Sequence, residues 1–304
     1  MNFLIRKKVH ITIGLSVAAI IIAALAVSIS RKAYVVAPFP AQTSTSTDPF
    51  AGLVLEAKAA YVLDLSTGKA LFVKDESEVL PLASITKLVS AYVAGRSLPS
   101  QTSISITRGD SNGLDPGETW SLQNLLDFTL VTSSNDGINA IASVAGSVLA
   151  TSTAKDPQSV FVDEMNESMK RLGLADMRFY NPSGLDLSAT TSGGYGSAKD
   201  VATLILHILK EDSSLLAATP AQTIKISSNL VNHIATNTDE ALRDIPAPIV
   251  SKTGNTNLAG GNLAVLFDAG LMHPVEIVVL GSSYDGRFTD MESLVSAVMK
   301  KISQ

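Results

Sequence analysis

Residues 59–88 read AAYVLDLSTGKALFVKDESEVLPLASITKL, and the texture of the chain changes within this stretch. Two short runs rich in Val, Leu and aromatic residues, Ala59 to Leu65 and Lys69 to Lys74, flank Ser66-Thr67-Gly68 and spell a β-hairpin. From about Pro81 apolar residues recur at helical spacing. ITKLVSAYVAG, SLQNLLDFTLV, GINAIASVAGSVLA, VFVDEMNESMKRLGL and AKDVATLILHILK carry that spacing onward. Near Pro246 strand texture returns in APIVSKTG, GGNLAVLFDAG and PVEIVVLGSS, followed by a last helix over roughly 290–302. Strands at both ends of the domain most simply share one antiparallel sheet, with the helical block inserted as a second lobe. A cleft between two such lobes is a common place for an active site.

Composition narrows the chemistry. The chain holds 23 Lys+Arg against 28 Asp+Glu, a formal charge of −5, which argues against a nucleic-acid binder. With 46% apolar and 17% charged residues it is not a disordered chain. The absence of cysteine excludes disulfides, thiolate metal sites and a Cys nucleophile. His10, His207, His233 and His273 show no HExxH spacing, and no GxSxG elbow is present. His207 falls in the apolar run LILHILK and reads as a packed helix residue, so a His-based triad is disfavoured.

Residues 9–29, VHITIGLSVAAIIIAALAVSI, contain no charged side chain. At ~1.5 Å per residue they span about 31 Å, one bilayer core. Arg6, Lys7 and Lys8 precede the stretch, leaving residues 1–8 as a cytoplasmic N-terminus, and Arg31 and Lys32 follow it. The stretch is expected to be a single-pass, N-inside membrane anchor. The alternative is a signal peptide cleaved near Ala24-Leu25-Ala26; either would place the following domain outside the cytoplasm. Residues 30–54, with APFPAQTSTSTDPF, read as a linker, and residues 55–304 as the folded domain, large enough for one core or two interlocked lobes.

Three short motifs could carry chemistry. Ser84-Ile85-Thr86-Lys87 opens an apolar helix, placing Ser84 and Lys87 on one face and Ser84 near backbone N–H groups able to stabilise an oxyanion. Lys87 could act as a base only when uncharged; moving a lysine from about 10.4 to about 7 costs ~4.6 kcal/mol, which burial and a second cation can supply. Alone, the motif reads first as a helix N-cap with a surface lysine, and S-x-x-K recurs at Ser66/Lys69 and Ser152/Lys155. Ser133-Ser134-Asn135 lies on a short connection between two helices and alone reads as a cap junction; Ser227-Ser228-Asn229 has the same pattern. Lys252-Thr253-Gly254 occurs once, at the end of a strand-like run, where Gly254 would admit a ligand close to the backbone.

Taken together, in the order SxxK, SxN, KTG and each in the element it needs, these motifs resemble the serine penicillin-recognising proteins. The opening stretch 59–88 is similar to that of the low-molecular-weight D-alanyl-D-alanine carboxypeptidases, peptidase family S11. So are LDPGETWSLQNLLDFTLVTSSNDGINAIA, MNESMKRLGLADMRFYNPSGLD, YGSAKDVATLILHIL and SKTGNTNLAGGNL. The resemblance implies a serine β-lactamase/transpeptidase-like α/β (α+β) fold. That fold has an antiparallel five-stranded sheet flanked by helices, an all-helical lobe over about 84–245, and an active site in the cleft between them.

The resemblance also implies roles. Ser84 would be the nucleophile, Lys87 its base, and Ser133 a relay of the proton to the leaving amine. Asn135 would hold the substrate backbone and Lys87, and Lys252 would keep the site electropositive. Thr253 would bind the terminal carboxylate, with Gly254 in the strand that pairs with the peptide. Asn255 would supply an oxyanion-hole N–H beside that of Ser84, and Arg287 would bind a carboxylate. The expected substrate is a peptidoglycan stem peptide ending in D-Ala-D-Ala, β-lactams are the expected inhibitors, and no metal or organic cofactor is required. An endopeptidase, a β-lactamase and a non-catalytic wall-binding homologue are the alternatives. Asn255 and Gly261 stand where relatives often carry bulkier residues, the stretch from Ser84 to Ser133 is slightly short, and the sequence stops soon after the last helix.

Overall fold

The computed structural model describes residues 48–109, 113–151 and 155–304. The expected anchor at 9–29, most of the expected linker, and Ser152 of the third S-x-x-K lie outside the described residues. No helix among the described residues is long and apolar enough to cross a membrane.

Five strands form the central sheet: β1 (Ala59–Asp64), β2 (Lys69–Lys74), β3 (Pro248–Thr256), β4 (Gly260–Asp268) and β5 (Pro274–Ser282). Their spatial order is β3-β4-β5-β1-β2, all neighbours antiparallel, and Ala59 pairs with Leu280 where the two ends of the domain meet. The β1–β2 turn is fixed by Asp64, whose carboxylate accepts from the Ser66 N–H and the Thr67 hydroxyl, both at 2.8 Å. Gly68 there has φ +69°, a backbone state that costs glycine nothing.

Alternation along the strands builds two cores. Ala60, Val62, Leu263, Val265, Ile277 and Val279 pack with Met291, Leu294 and Val298 of the C-terminal helix Gly286–Ile302. The opposite face, with Ala59, Val250, Ala264, Leu266, Val278 and Leu280, joins the core of the second lobe. Phe50, assigned to the linker on sequence grounds, is buried in the first core and stacks on Phe72 with ring centroids 5.7 Å apart.

The second lobe contains helices α1 (Thr86–Ser97), α2 (Leu122–Thr132), α3 (Asn135–Leu149), α4 (Pro157–Arg171) and α5 (Ala198–Asp212), and Gly286–Ile302 is α6. Residues from Thr86 through Ala94 of α1 are all buried, so this helix runs through the middle of the domain. Caps set the starts of the others: Ser121 accepts from Asn124, Ser134 from Gly137, Asp156 from Ser159, and Ser197 with Asp200 forms a capping box.

The lobe is not all-helical. It also carries the hairpins Ser103–Ser105/Thr119–Ser121 and Thr223–Ser227/Asn232–Thr236, and a small sheet of Leu80–Pro81, Gly194–Gly196 and Arg178–Phe179. These strands are only two to five residues long, too short for most of them to leave a periodic signal. One hairpin is tied down by a contact between residues far apart in sequence: buried His233 Nε2 lies 2.8 Å from buried Glu118 Oε2, with the Trp120 ring 4.9 Å from the imidazole.

Candidate active site

Ser84 sits in a one-turn 3-10 helix, Ala83–Ile85, that runs directly into α1. Ala83 has φ +48°, an uncommon state for a residue with a side chain. Two glycines close in on this turn. At Gly254 a Cβ would come 2.8 Å from the Leu82 carbonyl and 3.2 Å from the Ser84 nitrogen, and at Gly184 it would overlap the Ala83 carbonyl.

One helical turn beyond Ser84, Lys87 is fully buried. Its Nζ donates to Ser84 Oγ at 2.7 Å, to Asn135 Oδ1 at 2.8 Å and to the Ser183 carbonyl at 3.1 Å. Ser133 ends α2 in a left-handed conformation, φ +60°, and Ser134 caps α3, so the cap junction legible in sequence is real. The same junction brings Asn135 to Lys87 and Ser133 to Lys252, whose Nζ donates to Ser133 Oγ at 2.9 Å and to the Thr253 carbonyl at 3.0 Å.

Ser84, Ser133, Thr253, Gly254, Asn255 and Arg287 line one cleft of about 310 Å³, together with Asn237, Thr238, Glu240 and Tyr284. Lys87 and Lys252 are bonded to two of these cleft-lining residues, Ser84 and Ser133, and Asn135 is bonded to Lys87. The other two S-x-x-K segments do not take part: Ser66/Lys69 spans the β1–β2 turn, and Lys155 pairs with Asp163 on the surface. Ser227-Ser228-Asn229 lies at a hairpin turn.

Lys252, expected to keep the site electropositive, has its pKa pushed down to about 7 by burial and by the nearby Arg287, against the opposing pull of Asp239. Asp239 is itself buried, which raises its pKa, and it accepts from the Ser251 hydroxyl at 2.7 Å. Arg287 is 3% exposed; its guanidinium lies over the Tyr284 ring at 4.2 Å and the Phe288 ring at 4.5 Å. Its Nε has no hydrogen-bond partner among the described residues, a buried donor suited to an incoming carboxylate.

Sequence reading missed several members of the site. Asn181, Ser183 and Gly184 form a turn in which Asn181 Oδ1 accepts from the backbone of both, at 3.2 and 2.7 Å, and that turn delivers the Ser183 carbonyl to Lys87. The signal was the tetrapeptide Asn-Pro-Ser-Gly, a strong turn sequence. Thr238, whose Oγ1 is 2.5 Å from Thr253 Oγ1, and Glu240 carried no recognisable signal. Gly261 stands where a side chain would overlap the Ser283 carbonyl and press on Arg287 Cβ, so its small size lets α6 bring Arg287 to the cleft. Glu164 and Glu167 are held by Arg171 and Lys170 on α4, outside the cleft lining.

The sequence profile of the D-alanyl-D-alanine carboxypeptidase family matches residues 42–283. D-alanyl-D-alanine carboxypeptidase DacF of Bacillus subtilis is 28% identical over 239 residues, covering 74% of this chain and 58% of that protein. A D-alanyl-D-alanine endopeptidase of Pseudomonas aeruginosa is 29% identical over 268 residues, covering 81% of this chain and 78% of its own length. Among solved structures, penicillin-binding protein D2 from Listeria monocytogenes in its ampicillin-bound form superposes with a TM-score of 0.68 at 26% identity, covering 81% of this chain and 98% of that one. The chain spans about three fifths of the length of the curated carboxypeptidases it matches.

Proposed function

Because the chain belongs to the D-alanyl-D-alanine carboxypeptidase family, we propose that it is a serine-type carboxypeptidase that removes the terminal D-Ala from peptidoglycan stem peptides and is acylated by penicillins at Ser84. The observation that carries this reading is the pair of contacts from Lys87 Nζ to Ser84 Oγ, 2.7 Å, and from Lys252 Nζ to Ser133 Oγ, 2.9 Å, both to serines that line one cleft.

In the proposed reaction Ser84 Oγ attacks the carbonyl carbon of the penultimate D-Ala and its proton passes to Lys87 as an uncharged amine. The developing oxyanion is held by the backbone N–H groups of Ser84 and Asn255, which Gly254 allows to approach one another. Ser133, bonded to Lys252, passes the proton taken by Lys87 on to the leaving amine, which returns Lys87 to its neutral form, while Asn135 positions Lys87 and the substrate backbone. Thr253 and Arg287 receive the terminal carboxylate, and β3 pairs with the extended peptide. Water then attacks the Ser84 ester; Lys87 takes its proton and returns it to Ser84 Oγ as that oxygen leaves. A β-lactam would open on Ser84 by the first step and be released slowly, since the acidic residues Glu164 and Glu167 are paired with Arg171 and Lys170 rather than placed in the cleft to speed deacylation. Residues 9–29 would anchor the enzyme with its catalytic domain on the extracytoplasmic face of the cell membrane.

Labelled penicillin should attach covalently to the wild-type chain and not to Ser84→Ala. A folded wild-type protein that takes up no label would refute the reading. Release of D-Ala from a soluble pentapeptide marks the carboxypeptidase; cleavage of cross-linked muropeptides without D-Ala release marks the endopeptidase instead.

A further inference from the structure

At the end of the sheet opposite the cleft, β4 turns into β5 through Ala269-Gly270-Leu271-Met272-His273. Leu271 and Met272 are exposed to 102% and 88% of their reference surface, and both have left-handed backbone, φ 57° and 59°. Hairpin turns that need this conformation favour Gly, Asn and Asp, because a Cβ is strained there. The turn is nevertheless firmly tied. Asp268 Oδ1 accepts from the backbone N–H of Gly270 at 2.9 Å and of His273 at 2.8 Å, and the Ala269 N–H donates to the His273 carbonyl at 2.9 Å. A fixed loop thus holds two apolar side chains out in solvent, against both backbone preference and the hydrophobic effect.

The surroundings point to what covers them. Lys69 starts β2 opposite Asp64, and His273 Nε2 lies 3.0 Å from Asp64 Oδ1, so Lys69 flanks the turn. Exposed Lys300 and Lys301 close α6, which starts beside the cleft at Arg287 and packs back along β5. Pro49, one residue past the start of the described chain, lines a groove with Lys300. The charge-free stretch 9–29 therefore joins the domain on this side through residues 30–47, which can reach at most about 60 Å.

We infer that the Leu271–Met272 turn inserts into the surface of an anionic phospholipid bilayer, with Lys69, Lys300 and Lys301 against its headgroups, and so stands the domain with its cleft turned away from the membrane toward the wall. The inference rests on the reading of residues 9–29 as an anchor, which brings turn and bilayer together at high effective concentration. At ~3.3 Å per residue, β4 sets the cleft about 25 Å farther from the lipid than the turn.

The absence of cysteine permits single-site labelling of the full chain. Met272→Cys, and as a control Leu187→Cys, 54% exposed and next to Asp186, which accepts from Thr256 at the cleft end, would each carry an environment-sensitive fluorophore. The proteins are reconstituted into vesicles of phosphatidylglycerol and phosphatidylethanolamine. The label at 272 should be quenched by spin-labelled lipid and protected about tenfold from aqueous iodide relative to 187, the factor expected for burying one apolar side chain. Adding Leu271→Ser should reverse part of that protection. A label at 272 as open to iodide as that at 187, in protein that stays with the vesicles, overturns the inference and leaves the anchor standing. Protein that takes up penicillin but does not associate with vesicles overturns both. Protection that grows with protein concentration in detergent, without lipid, makes a second copy the occupant and also overturns it.

Discussion

Gly184 packs so tightly on the carbonyl of Ala83 that no side chain fits between them, although the two residues are separated by most of the helical lobe. Both have positive φ, +79° for Gly184 and +48° for Ala83, and each belongs to a turn that serves Lys87. Ala83 precedes the Ser84 nucleophile proposed here. Gly184 follows Ser183, whose carbonyl accepts from Lys87 Nζ at 3.1 Å. Gly184→Ala is therefore expected to lower stability by about 2–4 kcal/mol, combining left-handed strain with overpacking. It should also slow acylation by penicillin, because the Ser183 carbonyl must move. Urea denaturation and stopped-flow labelling test both effects; a variant unchanged in each would show that this contact positions nothing.

Lys87→Arg should suppress acylation by about 10²–10⁴-fold, the usual contribution of a general base, since a guanidinium does not give up its proton. The measurement is the second-order rate of fluorescent penicillin uptake. Uptake within a few-fold of wild type would remove Lys87 from the role of base.

With its pKa pushed down to about 7, Lys252 should leave a titration in the pH profile of peptidase kcat/KM. That parameter reports free-enzyme groups. Activity should fall above about pH 7 as the cation facing the substrate carboxylate is lost, and Lys252→Arg should remove that fall. The stability effect has a definite sign. The unfolded chain keeps this proton up to about 10.5 and the folded chain only to about 7, so the unfolded state binds more protons between them. The Lys252 contribution to stability thus rises with pH across that window. A Lys252→Met variant lacking the rise in denaturation midpoint between pH 7 and 10 would agree; an unaltered pH dependence would not.

Glu276 lies in the middle of β5, fully buried, and neither carboxyl oxygen has a hydrogen-bond partner among the described residues. Burial raises its pKa well above the ordinary range. The folded state therefore binds the proton more tightly than the unfolded chain, and the Glu276 contribution to stability decreases as pH rises above about 4.5. Glu276→Met keeps the volume and removes the unpaired polar group, and is expected to stabilise the domain by about 1–3 kcal/mol at neutral pH, less at pH 5. Thermal unfolding at the two pH values decides it, and a destabilised variant would mean that Glu276 has a partner essential to the fold.

Much of the site could be located before any coordinate was known, and for a local reason. Ser84 and Lys87 are one helical turn apart, Ser133 and Asn135 share one helix junction, and Lys252, Thr253 and Gly254 are consecutive on one strand. Within each group the geometry follows from the backbone alone. Thr238 and Glu240 could not be found that way, because they reach the cleft from the turn after a short hairpin, and Thr238 meets Thr253 only through tertiary packing. His233 likewise showed no partner, since Glu118 is far from it along the chain and meets it only through packing.

The order of residues by itself determined the strand–helix–strand plan, the three motifs and their placement on helix start, junction and strand end, because periodicity and capping act over a few residues. Only the tertiary structure decided that Lys252 meets Ser133, that Arg287 lies over the rings of Tyr284 and Phe288, and that burial and Arg287 push the Lys252 pKa down. Those properties depend on desolvation and on charges brought together across the fold, and neither exists until the two lobes have closed on one another.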